Sequence, residues 1–465
     1  VAGILILSGL AIGLLWVRPP ALLRVAANYS AKIVCSNVYL AGRDADEVLR
    51  DDIQSNGNPV LSLMRVRVDR DGGVVRAGVL GFIGGGLAAV RPGLGCSVIA
   101  DGERGLAPFR AQVRGGGQGI APPPNTAPPP TTAPPPTDTP VAPWPDGNGA
   151  NIDPKLQALI ADDRLAGPGL RALLVVHDGR LVAERYAPGF TAATPLLGWS
   201  MTKTVMAGLI GTLVQEGKLS WSQAGFWPAA PGDGRDRITL ADLMAMTSGL
   251  HFDEQYGAVS DVTRMLYLES DMARFAHDQP LEHPVGEFWS YSSGTALILS
   301  RIAQDAAGLP PERFARERLF APLGMASATL EADEHGTLVG SSYMYASARD
   351  WARYGQFLMQ LGQWHGSALL PPGYVAQMVA PVAASGGQYG HGQVWRWGSD
   401  PTTPGVDPDT AFGIPPDVFW LSGHDGQHIA IIPSRSLVVV RMGLTPHEQG
   451  FLVQPLIQAL LGAIP

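Results

Sequence analysis

A serine and a lysine three residues apart, Ser200 and Lys203, open an apolar run from Val205 through Leu213. On a helix that spacing projects both side chains from one face, so the Lys203 amine comes within reach of the Ser200 hydroxyl. A serine hydroxyl becomes a nucleophile when a neighbouring base takes its proton, and a lysine serves once burial and positive surroundings lower its pKa. A helix N-terminus adds backbone N–H groups that can hold a developing oxyanion. The plain alternative is an ordinary first turn, with Ser200 as an N-cap and Lys203 in solvent. Partners elsewhere in the chain decide between the two.

Two further polar clusters stand at the starts of elements. Trp289-Ser290-Tyr291-Ser292-Ser293-Gly294 leads into Ala296, Leu297, Ile298 and Ile302, which puts Tyr291 at a loop-to-helix junction. A phenol hydrogen-bonded to an ammonium ionises more readily and can relay a proton to a leaving group. Alone, Tyr291 reads as a core tyrosine with one satisfied hydroxyl. Ser422-Gly423-His424-Asp425-Gly426-Gln427 precedes the apolar strand His428 to Ile432. Glycines at a strand mouth let its backbone approach a substrate, and the N–H that follows can complete an oxyanion hole.

In this order, Ser200-x-x-Lys203, Tyr291-Ser292-Ser293 and His424-Asp425-Gly426 resemble the three motifs of serine beta-lactamases and penicillin-binding proteins. The middle motif matches the class C-like branch, and the wording is similar to that of 6-aminohexanoate-dimer hydrolases. The resemblance covers residues 165 to 460. It implies an antiparallel sheet backed by helices beside an all-helical lobe. It also implies Ser200 as the acyl-accepting nucleophile, Lys203 as its base and Tyr291 as the proton relay. The backbone N–H groups of Ser200 and Gln427 would form the oxyanion hole, and Ser293, Gly426, Tyr343 and Trp395 would contact substrate, with Trp397 and Tyr345 as further aromatic candidates. His424 stands where that family carries the lysine of Lys-Thr-Gly. A histidine of ordinary pKa about 6.5 is mostly neutral at pH 7 and holds a beta-lactam carboxylate less firmly than lysine. The implied activity is therefore a serine esterase or small-amide hydrolase acting through an acyl-enzyme. Cell-wall peptide amidase, DD-peptidase or beta-lactamase activity is the second reading, and a non-catalytic ligand-binding relic is the third. No metal or organic cofactor is implied.

The rest of the chain must position these residues. At 465 residues, 46% hydrophobic and 16% charged, it can bury a large core in two folded units or one elaborated one. The formal net charge of -8 gives no electrostatic reason to expect nucleic acid. Residues 1–17 carry no charge and would span about 25 Å as a helix, so they read as a membrane anchor, although Val25-Ala26-Ala27 fits a signal cleavage site. The expected location is membrane-anchored, with the catalytic domain outside the cytoplasm.

Residues 28–116 form a small β-containing unit with a hairpin signal at Met64 to Asp69 and Val74-Val75. Gly84-Gly85-Gly86 lacks the Gly-Lys-Ser/Thr of a phosphate loop and reads as turns or close packing. Cys35 and Cys96 can pair in an oxidising compartment or remain as buried thiols. Residues 117–150 hold Ala-Pro-Pro-Pro three times and read as a semi-rigid spacer. Residues 151–465 begin and end with hairpin signals, at Ala172 to Tyr186 and His428 to Met442, with helical patterns between them. The expected class is thus α+β, an antiparallel sheet flanked by helices.

Overall fold

The computed structural model describes residues 18–116, 142–227, 233–398 and 406–464. The expected anchor at 1–17 and most of the proline-rich spacer lie outside these residues. Among the described residues, no helix is long and apolar enough to cross a membrane. The chain divides into two compact units. One holds the N-terminal residues with the segments 252–279 and 331–338, and the other holds the rest.

In the first unit, helix α1 (Ala21–Tyr39) packs on a meander of four antiparallel strands, β1 (Met64–Asp69), β2 (Val74–Val79), β3 (Ile83–Arg91) and β4 (Gly95–Val98). Helix α2 (Glu103–Gly116) follows. The expected hairpin is β1 with β2, closed at Asp69 opposite Val74. The glycine run lies inside β3 as close packing: a Cβ at Gly84 would meet the Leu23 carbonyl, and one at Gly86 would meet the Ala27 backbone. Val25, Ala26 and Ala27 are buried inside α1.

Cys35 and Cys96 form a disulfide joining α1 to β4 across a sequence separation of 61. In the chain-entropy account a loop of that size contributes about 4 kcal/mol. Beside it, the Glu331 carboxylate is buried and shared by Lys32, the Ser36 hydroxyl at 2.9 Å and the Cys96 N–H at 2.6 Å. Burial pushes the Lys32 ammonium below its ordinary pKa, against the pull of Glu331. Glu331 and the helix Asp261–Leu268 lie far along the chain yet belong to this unit, so its boundary is not the contiguous span 28–116.

The second unit is built on a five-stranded antiparallel sheet. Helix α3 (Pro154–Ile160) precedes β5 (Leu170–His177) and β6 (Arg180–Tyr186), the first hairpin. Then come β7 (Pro195–Leu197), α4 (Met201–Gln215), α5 (Ser293–Ala307), β8 (Thr329–Leu330), β9 (Met344–Ser347) and α6 (Ala348–Met359). The chain returns through β10 (Phe419–Gly423), β11 (Gln427–Ile432), β12 (Leu437–Gly443) and α7 (Gln454–Ala463). The sheet order is β10-β11-β12-β5-β6, so the two terminal hairpins meet where β12 pairs with β5.

Both faces of this sheet are covered, which is why its central strands are nearly continuous apolar runs rather than alternating ones. Leu173, Val175, Ala430 and Val439 face a core with Leu156 and Ile160 of α3 and Leu456, Ile457 and Leu460 of α7. On the other face α6 comes close enough that a Cβ at Gly355 would meet Val438. The end of the expected spacer is folded onto this unit: Trp144 is buried, and Arg353 donates from Nε to the Pro145 carbonyl at 3.0 Å. A large aromatic ring among the prolines supplies apolar area that the repeats upstream lack.

Candidate active site

The small sheet β7-β9-β8 leads the chain into Ser200. Leu197 of β7 pairs with Tyr345 of β9, and the Gly198 N–H continues the pairing to the Met344 carbonyl at 2.9 Å. A Cβ at Gly198 would collide with the Trp351 ring, so only glycine lets the chain turn here. Trp199 then takes φ 47, a left-handed conformation that strains a bulky residue and is held by its surroundings. Ser200 follows at the N-cap position of α4, yet its side chain caps no backbone N–H.

Its hydroxyl is engaged instead by Lys203, whose Nζ donates to Ser200 Oγ at 3.0 Å, Ser293 Oγ at 3.1 Å and the Ser341 carbonyl at 3.0 Å. None of these three acceptors is a carboxylate. Lys203 is 1% exposed, so the reading of a solvated first-turn lysine does not apply. Helix α4 is buried from Met201 through Leu213, as expected of a helix that is apolar on all sides.

Tyr291 lies two residues before α5, which Ser292 caps by accepting from the Thr295 N–H at 3.0 Å. The Lys203 ammonium nitrogen stands 4.7 Å from the Tyr291 ring centre. Trp395 stacks on Tyr291 at 5.4 Å, and Tyr389 meets both rings edge-on. Trp395 thus packs against Tyr291 in an aromatic cluster with Tyr389 and Trp289, which sequence reasoning did not select. Tyr343 lies 6.1 Å from Trp199, with its side chain buried. Tyr345 is a core residue of β9. Ser293 is fully buried, and its hydroxyl accepts from Lys203; it braces the lysine rather than facing a substrate.

The His424-Asp425-Gly426 motif forms the turn between β10 and β11, with Asp425 and Gly426 at φ 57 and 76. His424 is exposed, its ring edge-on to Trp199 at 5.7 Å and its Nε2 3.4 Å from the buried Asp425 carboxylate. Gln427 pairs opposite Gly423. Trp420, three residues before Gly423, directs its N–H and C=O outward to Trp395, at 2.8 and 3.0 Å. Backbone groups alternate direction along a strand, so Gly423 and Gln427 face each other. The hairpin therefore takes the Gln427 N–H expected in the oxyanion hole, and the same alternation turns the amides of Ser422 and His424 outward.

The Gln427 side chain instead braces the turn, donating to the carbonyls of His424 and Asp425, each at 3.1 Å, and of Gly443 at 2.7 Å. Arg441 holds it from behind, donating to the Gly426 carbonyl at 2.7 Å. Gly426 accordingly serves the turn's shape, and a Cβ there would press on Arg441. Neither Arg441 nor the Ser341 carbonyl belongs to a motif: one sits mid-strand, and the other acts only through its backbone.

The candidate site thus brings together a serine hydroxyl bonded to a buried lysine, a tyrosine at a helix start and a glycine-containing turn at a sheet edge, the kinds of group that nucleophilic catalysis by a serine requires. Residues 157–461 match the family model described as Beta-lactamase, and the chain belongs to that family. A 6-aminohexanoate-dimer hydrolase from Paenarthrobacter ureafaciens is 24% identical over 233 residues, 47% of this chain and 59% of that protein. A candidate D-alanyl-D-alanine carboxypeptidase from Salmonella agona (strain SL483) is 25% identical over 179 residues, 33% of this chain and 41% of its own. The chain thus spans about half the length of these curated relatives. A candidate 6-aminohexanoate-dimer hydrolase from Bacillus anthracis shares the fold, with a TM-score of 0.56 at 21% identity, covering 70% of this chain and 89% of that one.

Proposed function

We propose that the second unit hydrolyses carboxylic esters or small linear amides through an acyl-enzyme on Ser200. The observation that carries this is the buried Lys203 amine 3.0 Å from Ser200 Oγ, held by Ser293 and the Ser341 carbonyl. In its neutral form Lys203 takes the hydroxyl proton as Ser200 Oγ attacks the substrate carbonyl. The N–H groups of Ser200 and His424 hold the oxyanion, the second replacing the role expected of Gln427. Tyr291 passes the proton to the leaving group, and water then releases the acyl group by the reverse path. Trp395, Tyr291 and Trp289 give the acyl pocket an aromatic wall suited to apolar chains. The uncharged run before Arg18 and the disulfide support a membrane-anchored enzyme on the oxidising side.

The test is hydrolysis of a short-chain nitrophenyl ester and of a 6-aminohexanoate dimer, with intact mass after brief mixing, beside Ser200→Ala. Turnover and an acyl mass shift, both absent in the variant, are expected. Folded protein with neither signal on either substrate refutes the proposal and favours a ligand-binding relic. The match to a candidate D-alanyl-D-alanine carboxypeptidase favours a second reading, a cell-wall peptide amidase. Stable labelling of Ser200 by a penicillin would select it.

A further inference from the structure

Within residues 18–116 the first unit exposes four large apolar side chains, Leu22 (42%), Leu63 (46%), Leu80 (54%) and Phe82 (47%), apart from Tyr256 and Val259 in its later segment. Its topology gathers them at one end. Leu80 and Phe82 occupy the β2–β3 turn, Met64 pairs with Val79, and the Leu80 N–H donates to the Leu63 carbonyl at 2.9 Å. Helix α1 starts there too, because Gly84 packs against Leu23 and Gly86 against Ala27. The turn has Leu80 at φ 54 and Gly81 at φ 90, with the Phe82 N–H donating to the Val79 carbonyl at 3.3 Å. Both central residues of such a turn need positive φ, which asparagine, aspartate or glycine adopt with least strain. A leucine there is strained and its side chain stands in water, so the unit by itself gains nothing from it.

The same end is rich in arginine. Arg18, Arg24 and Arg104 line a cavity of about 310 Å³, with Asp101 as its acidic member. Arg65 adjoins the turn at Gly81. The seventeen uncharged residues of the sequence lead directly into Arg18 at this end. Apolar tips ringed by cations fit a surface that is apolar below and anionic above.

We propose that this end of the first unit docks on a bilayer containing anionic phospholipid, with Leu22, Leu63, Leu80 and Phe82 entering the interface and the arginines holding headgroup phosphates. The docking face is additional to any anchor before Arg18 and independent of the hydrolase reading. It gives a function to a unit in which the sequence shows no chemistry.

The experiment places an environment-sensitive fluorophore on the full chain at Phe82→Cys, the native cysteines remaining paired, and mixes it with vesicles carrying a doxyl quencher near the top of the acyl chain. Asp71→Cys, at the β1–β2 turn at the other end of the meander, is the control. In vesicles with phosphatidylglycerol, quenching at residue 82 is expected to exceed that at residue 71 several-fold, and to fall in phosphatidylcholine alone. A probe at Leu63→Cys should lose its quenching when Leu80→Asp is added. Equal quenching at 82 and 71, quenching indifferent to phosphatidylglycerol or to Leu80→Asp, or failure of the chain to bind either vesicle would each overturn the proposal.

Discussion

Arg441 is fully buried in β12, and its guanidinium makes four hydrogen bonds: to the carbonyls of Ala166 and Pro168 at 2.8 Å each, to that of Gly426 at 2.7 Å and to Thr445 Oγ1 at 3.0 Å. It also lies 4.2 Å over the Phe451 ring. Burial pushes its pKa down to about 10 from 12.5, a cost to the charged form on the order of 3 kcal/mol. Arg441→Met recovers that cost but strips a charged donor from four buried acceptors, each worth roughly 1–3 kcal/mol when left unmet. The expected net loss is about 2–4 kcal/mol, since the acceptors share one packing site and do not add fully. Arg441→Lys should fall between, because a compact ammonium cannot reach Gly426 and the Ala166 to Pro168 segment together.

The assay is urea unfolding of the full chain beside ester or amide turnover of the folded fraction. Turnover should fall further than the folded fraction, because Arg441 holds the carbonyl of the turn that presents the His424 amide. A stability change in Arg441→Met below about 0.5 kcal/mol would refute the reasoning, as it would mean that water replaces the guanidinium at no cost.

Two further outcomes follow from the site. Ser293→Ala removes one of the three acceptors holding Lys203; losing a hydrogen bond of about 1.5–3 kcal/mol should cut kcat by roughly 10- to 100-fold with KM little changed. Rescue by Ser293→Thr, with unaltered thermal unfolding, would separate positioning of the lysine from folding. His428, buried in β11, has its pKa lowered to about 3 from 6.5, first by burial and then by Arg441. The folded state therefore holds the neutral ring while the unfolded chain takes a proton, so stability present above pH 6.5 is lost as pH falls from 6.5 toward 3. His428→Gln should flatten the acid limb of urea unfolding in that window, and an unchanged slope would count against a buried neutral ring.

The domain class and the juxtaposition of Ser200 with Lys203 were legible in the sequence, because both rest on local pattern. Helical spacing alone puts Ser200 and Lys203 on one face, and turn residues bound the two terminal hairpins of the large sheet. The pairing of those hairpins through β12 and β5 joins residues over 250 positions apart and has no local signature. The same holds for Glu331, which reads as part of the hydrolase span but pairs with Lys32 in the first unit.

Sequence by itself determined which residue types could do the chemistry and where elements begin. Tertiary structure decided which of them are buried as supports for the others. Ser293 moved from substrate contact to lysine brace because packing buried it beside Lys203. Gln427 moved from oxyanion donor to turn brace because strand register, set at Trp420 by its bonds to Trp395, fixes which amides point outward. Side-chain identity is a property of one position, whereas burial and register are settled by partners that the chain reaches only when folded.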